Sequence, residues 1–396
     1  MKTKLFFIGM LALIGLRTNA QWVTTNGPLS GGIINTLYAN SSNIFCGTQF
    51  EGTFIYNGTS WSTANIGLMG SSPTTCITGK GTDLYCINGG IGSEDVYLST
   101  NNGSNWNNAN TGLNNEAQTI LAYGPYLFTG TDAGGIDAIF LSYNNGNNWS
   151  PLLSGSGFVT NGVSAMMIDT TIDSGLVVAC VYGGVQITTD RGRIWKYNTF
   201  LGGNTANCIA RSGSNIFIGT NNGVYLTTDY GNTWTAVNSS MPGNDVVYSL
   251  AVDGSNIFAG SDSGVYVTSN NGLLWTAVNT GLTDKGVHSL AIYGTDLYAG
   301  TRTQGVWKRS LSQMVSGINE ISGKNKINVY PNPFVNSFSI ENTKAGSLYS
   351  LFDLTGREIG EYKATGNTLN INGDGLQQGI YILKSNDGQA VKLIKE

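Results

Sequence analysis

Carboxylates and amides return at one fixed place along this chain. Thr227–Trp234 reads TTDYGNTW, and its copies are STNNGSNW (Ser99–Trp106), SYNNGNNW (Ser142–Trp149), TTDRGRIW (Thr188–Trp195) and TSNNGLLW (Thr268–Trp275). A carboxylate repeated in this way could act as a general acid, a nucleophile or a metal ligand, and each role needs an ionisable oxygen. Asn101, Asn144 and Asn270 nevertheless stand where Asp190 and Asp229 stand in the other copies. An amide keeps an oxygen that can cap a turn, but it carries no charge and does not titrate. The pattern therefore predicts structure: glycine supplies a positive φ and the Asp or Asn oxygen accepts turn amides. Trp106, Trp149, Trp195, Trp234 and Trp275 bring apolar surface to pack between sheets.

Other chemistry-bearing residues are few. His288 is the only histidine, and no Ser or Cys nucleophile motif surrounds it. Cys46, Cys76, Cys86, Cys180 and Cys208 are odd in number and scattered over strand-like segments, which predicts buried small apolar side chains; one disulfide of unspecified pairing stays open. No CxxC or Cys/His cluster is present, so neither a zinc site nor any cofactor is expected. Residues 21–311 hold 9 Lys/Arg against 16 Asp/Glu with no basic run, which argues against a nucleic-acid partner.

The elements that must position these residues follow from the repeat. Trp195, Trp234 and Trp275 are 39 and 41 residues apart. Each unit divides into four short apolar segments separated by Gly, Asn, Asp and Ser, which predicts four antiparallel strands. In the sixth unit these are Leu250–Val252, Asn256–Ala259, Gly264–Thr268 and Leu274–Val278. The second segment recurs seven times, from NIFCGT at Asn43 to DLYAGT at Asp296. The seventh unit lacks its last strand, and Trp22–Leu29 parallels Trp275–Leu282, so the N-terminal segment is expected to supply it. The prediction is an all-β chain: a seven-bladed β-propeller over 21–311, closed by an N-terminal strand. Residues 1–20 read as a signal peptide, with Lys2 and Lys4 before an apolar run and small residues up to Ala20. No later stretch is long and apolar enough to predict a transmembrane span.

The box Ser/Thr-x-Asp/Asn-x-Gly-x-x-Trp resembles the Asp-box, or BNR, repeat of sialidases and sortilin-like receptors. That resemblance implies a propeller. It does not imply sialidase activity, because the arginine-triad motif of those enzymes is missing: Arg191, Arg193, Arg211, Arg302 and Arg309 are the only arginines of the ring. Boxes are expected on one face, and loops between strands two and three on the other. Residues that break the repeat on the loop face are the binding candidates: Gln49, Phe50, Glu51, Asp132, Tyr182, Asp262 and Arg302, with Glu94, Asp95 and Asp137 beside them. Such a rim suits a glycan or protein ligand. Paired carboxylates there, Glu51 with Asp132 or Glu94 with Asp137, would alternatively suit glycoside hydrolysis.

After Leu311 the repeat stops. A polar linker, 312–326, leads to a segment with alternating strands over 327–396, which predicts a small Ig-like β-sandwich. Four stretches stand in order: Tyr330-Pro331-Asn332-Pro333, Asp353-Leu354-Thr355-Gly356-Arg357, Leu376–Tyr381 with Gly379 and Tyr381, and Lys392-Leu393-Ile394-Lys395. They resemble the type A C-terminal sorting domain of the Bacteroidetes type IX secretion system. The resemblance implies export to the cell surface or medium, with the secretion machinery as partner of the tail.

Overall fold

The computed structural model describes residues 21–28, 32–90, 92, 94–132, 138–152, 162–169, 176–181, 184–189, 194–198, 204–314, 328–353, 357–386 and 390–396. Residues 1–20, expected from the sequence to be a signal peptide, lie outside them, as do Asp137, Tyr182, Asp190, Arg191, Arg193 and Gly356. The chain divides into two compact units, Met1–Val315 and Ser316–Glu396.

Seven four-stranded antiparallel sheets make the first unit, and six of them run in chain order from first strand to fourth. Their first strands are Ile34–Ala39, Thr74–Lys80, Ala117–Tyr123, Val163–Asp169, Ala206–Ser212, Val247–Asp253 and Val287–Tyr293. Each lies against the first strand of the next sheet, and the seventh lies against the first, so they close a ring around a central axis. This is a seven-bladed β-propeller. The last blade takes its fourth strand from the other end of the chain: Val23 pairs with Lys308 and Thr24 with Trp307. Trp22 is 1% exposed and donates from Nε1 to Val278 O at 2.6 Å, which ties this strand to blade six. The last blade thus reaches the same four strands as the others, and the inner three strands of the seam are covered.

Second strands carry the core. Asn256–Ser261 is buried at every residue but its first, because both faces of a blade are covered by neighbours. The repeated glycine in these strands answers a close approach. A Cβ on Gly260 would lie 2.8 Å from Val287 Cγ1, and one on Gly130 would lie 2.6 Å from Val163 Cβ, each on the next blade's first strand. In blade two the glycine is replaced by Ile87, and the opposing residue is the small Ala117; the two share one core cluster. Volume is exchanged across the seam and packing density is kept.

The fourth strand of the sixth blade is Thr276–Ala277, shorter than the expected Leu274–Val278. Trp275 leaves the ladder because its N–H bonds Ser239 O of the previous blade at 3.1 Å. The first strand is longer than expected, Val247–Asp253. Of the cysteines with described side chains, Cys46, Cys76, Cys86 and Cys208 are free thiols. Burial pushes the Cys208 thiol up to about 12.

In the second unit the sheets are Asn328–Tyr330, Ser337–Glu341 and Thr368–Asn372, and Glu358–Lys363, Leu348–Asp353, Gly379–Ser385 and Ala390–Lys395. Phe338, Ile340 and Ile371 of one meet Leu351, Leu383 and Leu393 of the other in a single core. The result is a small β-sandwich.

Candidate functional site

The four described box turns share one hydrogen-bond scheme. Asp229 Oδ1 accepts from Thr227 Oγ1 at 2.8 Å and from Thr233 N at 2.9 Å. Asn270 Oδ1 accepts from Thr268 Oγ1 at 2.8 Å and from Leu274 N at 3.0 Å. Asn101 and Asn144 repeat this with Ser99 and Asn105, and with Ser142 and Asn148. The amide and then the hydroxyl of Thr233, with Thr227, hold the Asp229 carboxyl below the usual carboxylate range. Trp106, Trp149 and Trp275 donate from Nε1 to Ala64 O, Ala109 O and Val237 O of the preceding blade at 2.8, 2.7 and 2.6 Å. Trp195 and Trp234 are equally buried.

At the opposite ends of the strands a different frame repeats. The residue just past strand two donates its N–H to the carbonyl of a residue just before strand one. Gln49 bonds Ile33, Gly89 bonds Pro73, Asp132 bonds Glu116, Asn221 bonds Thr205, Asp262 bonds Val246 and Arg302 bonds Gly286, at 2.8–3.2 Å. Four of the residues singled out from sequence, Gln49, Asp132, Asp262 and Arg302, therefore occupy one structural position. Phe50 follows at 62% exposure, and Glu51 with Phe54, Thr63, Asn65, Gly70 and Ser71 lines an open groove of about 500 Å³.

A second, inner ring went unnoticed in the sequence. Every first strand slips register at its second residue. The bulged residues are Asn35, Thr75, Gln118, Ser164, Asn207, Tyr248 and His288. A bulge re-aims its side chain and is common beside functional sites. In three blades the side chain clips one blade to the next: Asn35 to Thr74 O, Ser164 to Ala206 O and Asn207 to Val247 O, at 3.2, 2.6 and 3.1 Å. In blades six and seven two rings stand instead. Tyr248 and His288 stack with centroids 4.1 Å apart and planes 15° apart. Aligning the seven first segments at this position would have shown Tyr and His as the two aromatic departures.

The outer ring meets the inner one here. Arg302 Nη2 contacts Asp262 Oδ1 at 2.7 Å, Tyr248 Oη donates to the same oxygen at 3.2 Å, and Arg302 Nε donates to His288 Nε2 at 3.4 Å. Burial, then Arg302, lowers the His288 pKa, so the imidazole is neutral at pH 7. Burial raises the Tyr248 pKa, with Asp262 adding to it.

Carboxylates collect in blades two and three. Gln118 Nε2 donates to Glu94 Oε2 at 2.7 Å. Burial, then Glu116, raises the Glu94 pKa, with Asp132 adding less. The structure thus groups Glu94 with Glu116 and Asp132. Asp95, expected beside Glu94 on the rim, opens strand three and accepts from Asn108 Nδ2 at 3.0 Å. No group of acids, His and Cys that could hold a metal is found among the described residues.

Glu94 has a testable pH signature. Its raised native pKa means that native protein binds the proton more tightly than unfolded chain, so stability falls as pH rises through the native value. Glu94→Gln should therefore raise the melting temperature at pH 7 and give no gain below about pH 4, where the unfolded carboxyl is also protonated. Melting curves of both proteins from pH 3 to 8 check this; a gain constant across pH would contradict it.

In the tail, Asn332 holds the last strand on both sides, with Nδ2 donating to Lys392 O at 2.7 Å and Oδ1 accepting from Ile394 N at 2.9 Å. Phe334, just past Pro333, continues along this strand through Ile394 O, and Lys395 Nζ lies 5.9 Å from its ring. Tyr381 Oη donates to Gln377 O at 2.8 Å, Gly379 has φ 154°, and Pro331, Pro333 and Lys392 are exposed.

Residues 328–396 match the family described as the secretion system C-terminal sorting domain. The protein is therefore handled by type IX secretion and reaches the cell surface or the medium. No helix of the described residues is long and apolar enough to cross a membrane. No curated protein matches the chain. Among solved structures, YCF48 from Cyanidioschyzon merolae is 15% identical with TM-score 0.56, over 74% of this chain and 98% of that one; YCF48 is also seen bound to a D1 peptide. PorZ, a surface component of the type IX secretion system of Porphyromonas gingivalis, is 16% identical with TM-score 0.51, over 92% of this chain and 59% of that one. The GH74 xyloglucanase from Xanthomonas campestris is 17% identical with TM-score 0.58, over 74% and 54%. What is shared at these identities is the fold.

Proposed function

We propose that this protein is a non-catalytic binding module, exported to the cell surface or medium, that takes a glycan or protein ligand on its loop face. The carrying observation is the contrast between its two faces. On the box face the side chains repeat from blade to blade. On the loop face the backbone frame repeats while its side chains run Gln49, Gly89, Asp132, Asn221, Asp262 and Arg302. A rigid frame that presents unlike side chains is what recognition requires.

The same proposal covers the finer assignments. Residues 1–20 are a signal peptide, 21–311 the propeller, 312–326 a linker and 327–396 the type A sorting domain. The turns are Asp-box, or BNR, turns with a structural role. The likeness to sialidases stops at those turns: Arg302 is neutralised by Asp262 at 2.7 Å, and the raised pKa of Tyr248 weakens it as a nucleophile. The peptide carried by YCF48 supports a protein ligand.

A second reading, polysaccharide hydrolysis, is favoured by Glu94, whose pKa is raised beside Glu116 and Asp132 as a general acid requires. Glycan-array binding followed by a reducing-end assay on each hit separates the two. Binding without new reducing ends supports the module, and turnover lost in Glu94→Gln replaces it with the hydrolase.

A further inference from the structure

The seam between blades six and seven departs from the rest of the inner ring. Elsewhere the bulged residue is a small hydroxyl or an amide, and three of these side chains are used up in clipping neighbouring blades. Tyr248 and His288 make no such clip. Their rings stack on each other, and the outer-ring pair Asp262–Arg302 lies against them. The ion pair is open to solvent, with side-chain exposures of 48% for Arg302 and 38% for Asp262.

The hydrogen-bond inventory of these four residues is incomplete in a specific way. Arg302 spends Nε on His288 and Nη2 on Asp262 and also reaches the Tyr248 hydroxyl, which leaves further guanidinium N–H groups to spare. Asp262 spends Oδ1 on both Tyr248 and Arg302, and Oδ2 has no partner among the described residues. His288 accepts at Nε2, so its neutral ring carries the proton on Nδ1, also without a partner. Donors and an acceptor thus stand side by side, unspent, where one guanidinium is paired with one carboxylate beside a neutral imidazole and a phenol; Asp284, the further carboxylate acting on His288, spends its oxygens on Gly286 and Thr303. A carboxylate, sulfate or phosphate ligand would be drawn to Arg302 and repelled by Asp262 at the same distance, and an amine the reverse. A hydroxyl donates and accepts at once, so adjacent hydroxyls of a sugar satisfy both sides without opposing either charge. Phe50, 62% exposed on the same rim of the adjoining blade, offers an apolar face for the C–H side of a pyranose.

We propose that Tyr248, Asp262, His288 and Arg302 form a subsite for an uncharged, hydroxyl-rich glycan. This rests on the loop-face reading above and narrows it to one seam and one ligand chemistry.

The test uses the sole histidine as reporter. In the full chain labelled with ¹³C-histidine, the imidazole Cε1–H signal belongs to His288 alone. Cellohexaose, mannohexaose and xylohexaose are titrated as neutral probes, with trigalacturonic acid and the chitosan hexamer as charged ones, and calorimetry is run in parallel. The expected result is a saturable shift with at least one neutral hexaose and none with the charged oligomers. Arg302→Gln and Asp262→Asn should each weaken that binding at least tenfold with melting temperature unchanged, which separates lost recognition from lost fold. Calorimetric binding that leaves the His288 signal still overturns the subsite while the binding module stands. A response to charged oligomers alone, or to none of the five, overturns the ligand chemistry. If a protein ligand then shifts His288, the loop-face reading survives that failure.

Discussion

Trp275→Ala is expected to cost the propeller about 3–5 kcal/mol, the range for truncating a buried aromatic, and to lower its melting temperature by roughly 6 °C or more. Trp275 is 2% exposed and packs with Phe217, Val224 and Val237 of blade five and with Ile257 and Tyr266 of its own blade. Its indole N–H is spent on Val237 O at 2.6 Å and its backbone N–H on Ser239 O at 3.1 Å. Truncation opens a cavity between two blades and strands a buried carbonyl, two penalties that add. The turn around it should discriminate sharply between substitutions. Asn270→Asp keeps the oxygen that accepts from Thr268 and Leu274, as Asp229 does naturally in blade five, and should change stability by less than about 0.5 kcal/mol. Asn270→Ala removes it and should cost about 1 kcal/mol. Urea unfolding of the three variants checks the order. Equal effects of Asp and Ala would show that the oxygen caps nothing, and a stable Trp275→Ala would show that the blades do not need their staple.

The ring was legible in the sequence because a period of about forty residues with a turn signal at fixed offset survives every insertion. The closing strand was legible for the same reason, since Trp22–Leu29 copies Trp275–Leu282. The loop-face register was half legible: residues after strand two were singled out as exceptions to the repeat, and four of them share one backbone frame. The inner ring was hidden. VYSLAVD and VHSLAIY read as plain alternating strands, and only the slip after Val247 and after Val287 turns Tyr248 and His288 out of the alternation. A bulge is set by pairing with a neighbour, so period-two patterning along one strand does not contain it. Glu116 was not singled out beside Glu94 because it comes from an inter-blade loop of the following unit, which no within-repeat comparison sets beside it. The exchange of Gly for Ile87 opposite Ala117 is invisible for the same reason: each residue is explained only by its partner one blade away.

The sorting tail permits a sharper separation, between a signal read as sequence and one read as a folded surface. Leu393→Asp is expected to abolish delivery to the surface and medium, with the propeller folded and retained in the periplasm. Leu393 is fully buried and pairs with Tyr381 in the last ladder, and its neighbours in the core are Leu351, Leu383 and Phe338. An unpaired carboxylate placed there costs several kcal/mol, against a total of about 3–10 kcal/mol for a sandwich of this size. The tail should therefore be unfolded at pH 7. Yet the substitution leaves Lys392 and Lys395 in place, along with the whole exposed Pro331-Asn332-Pro333 stretch. A machinery that reads the Pro331-Asn332-Pro333 stretch and the terminal lysines as a linear string would still export this variant, whereas one that reads the assembled sandwich would not. Lys392→Ala gives the complementary case, since its side chain is exposed and its loss leaves the core intact. Immunoblots of periplasm, outer membrane and medium, with a protease-resistance assay for the propeller, decide between them. Normal export of Leu393→Asp would make the fold of the tail irrelevant to its recognition. Retention of Leu393→Asp together with normal export of Lys392→Ala would assign recognition to the shape that Asn332 and the buried leucines hold in place.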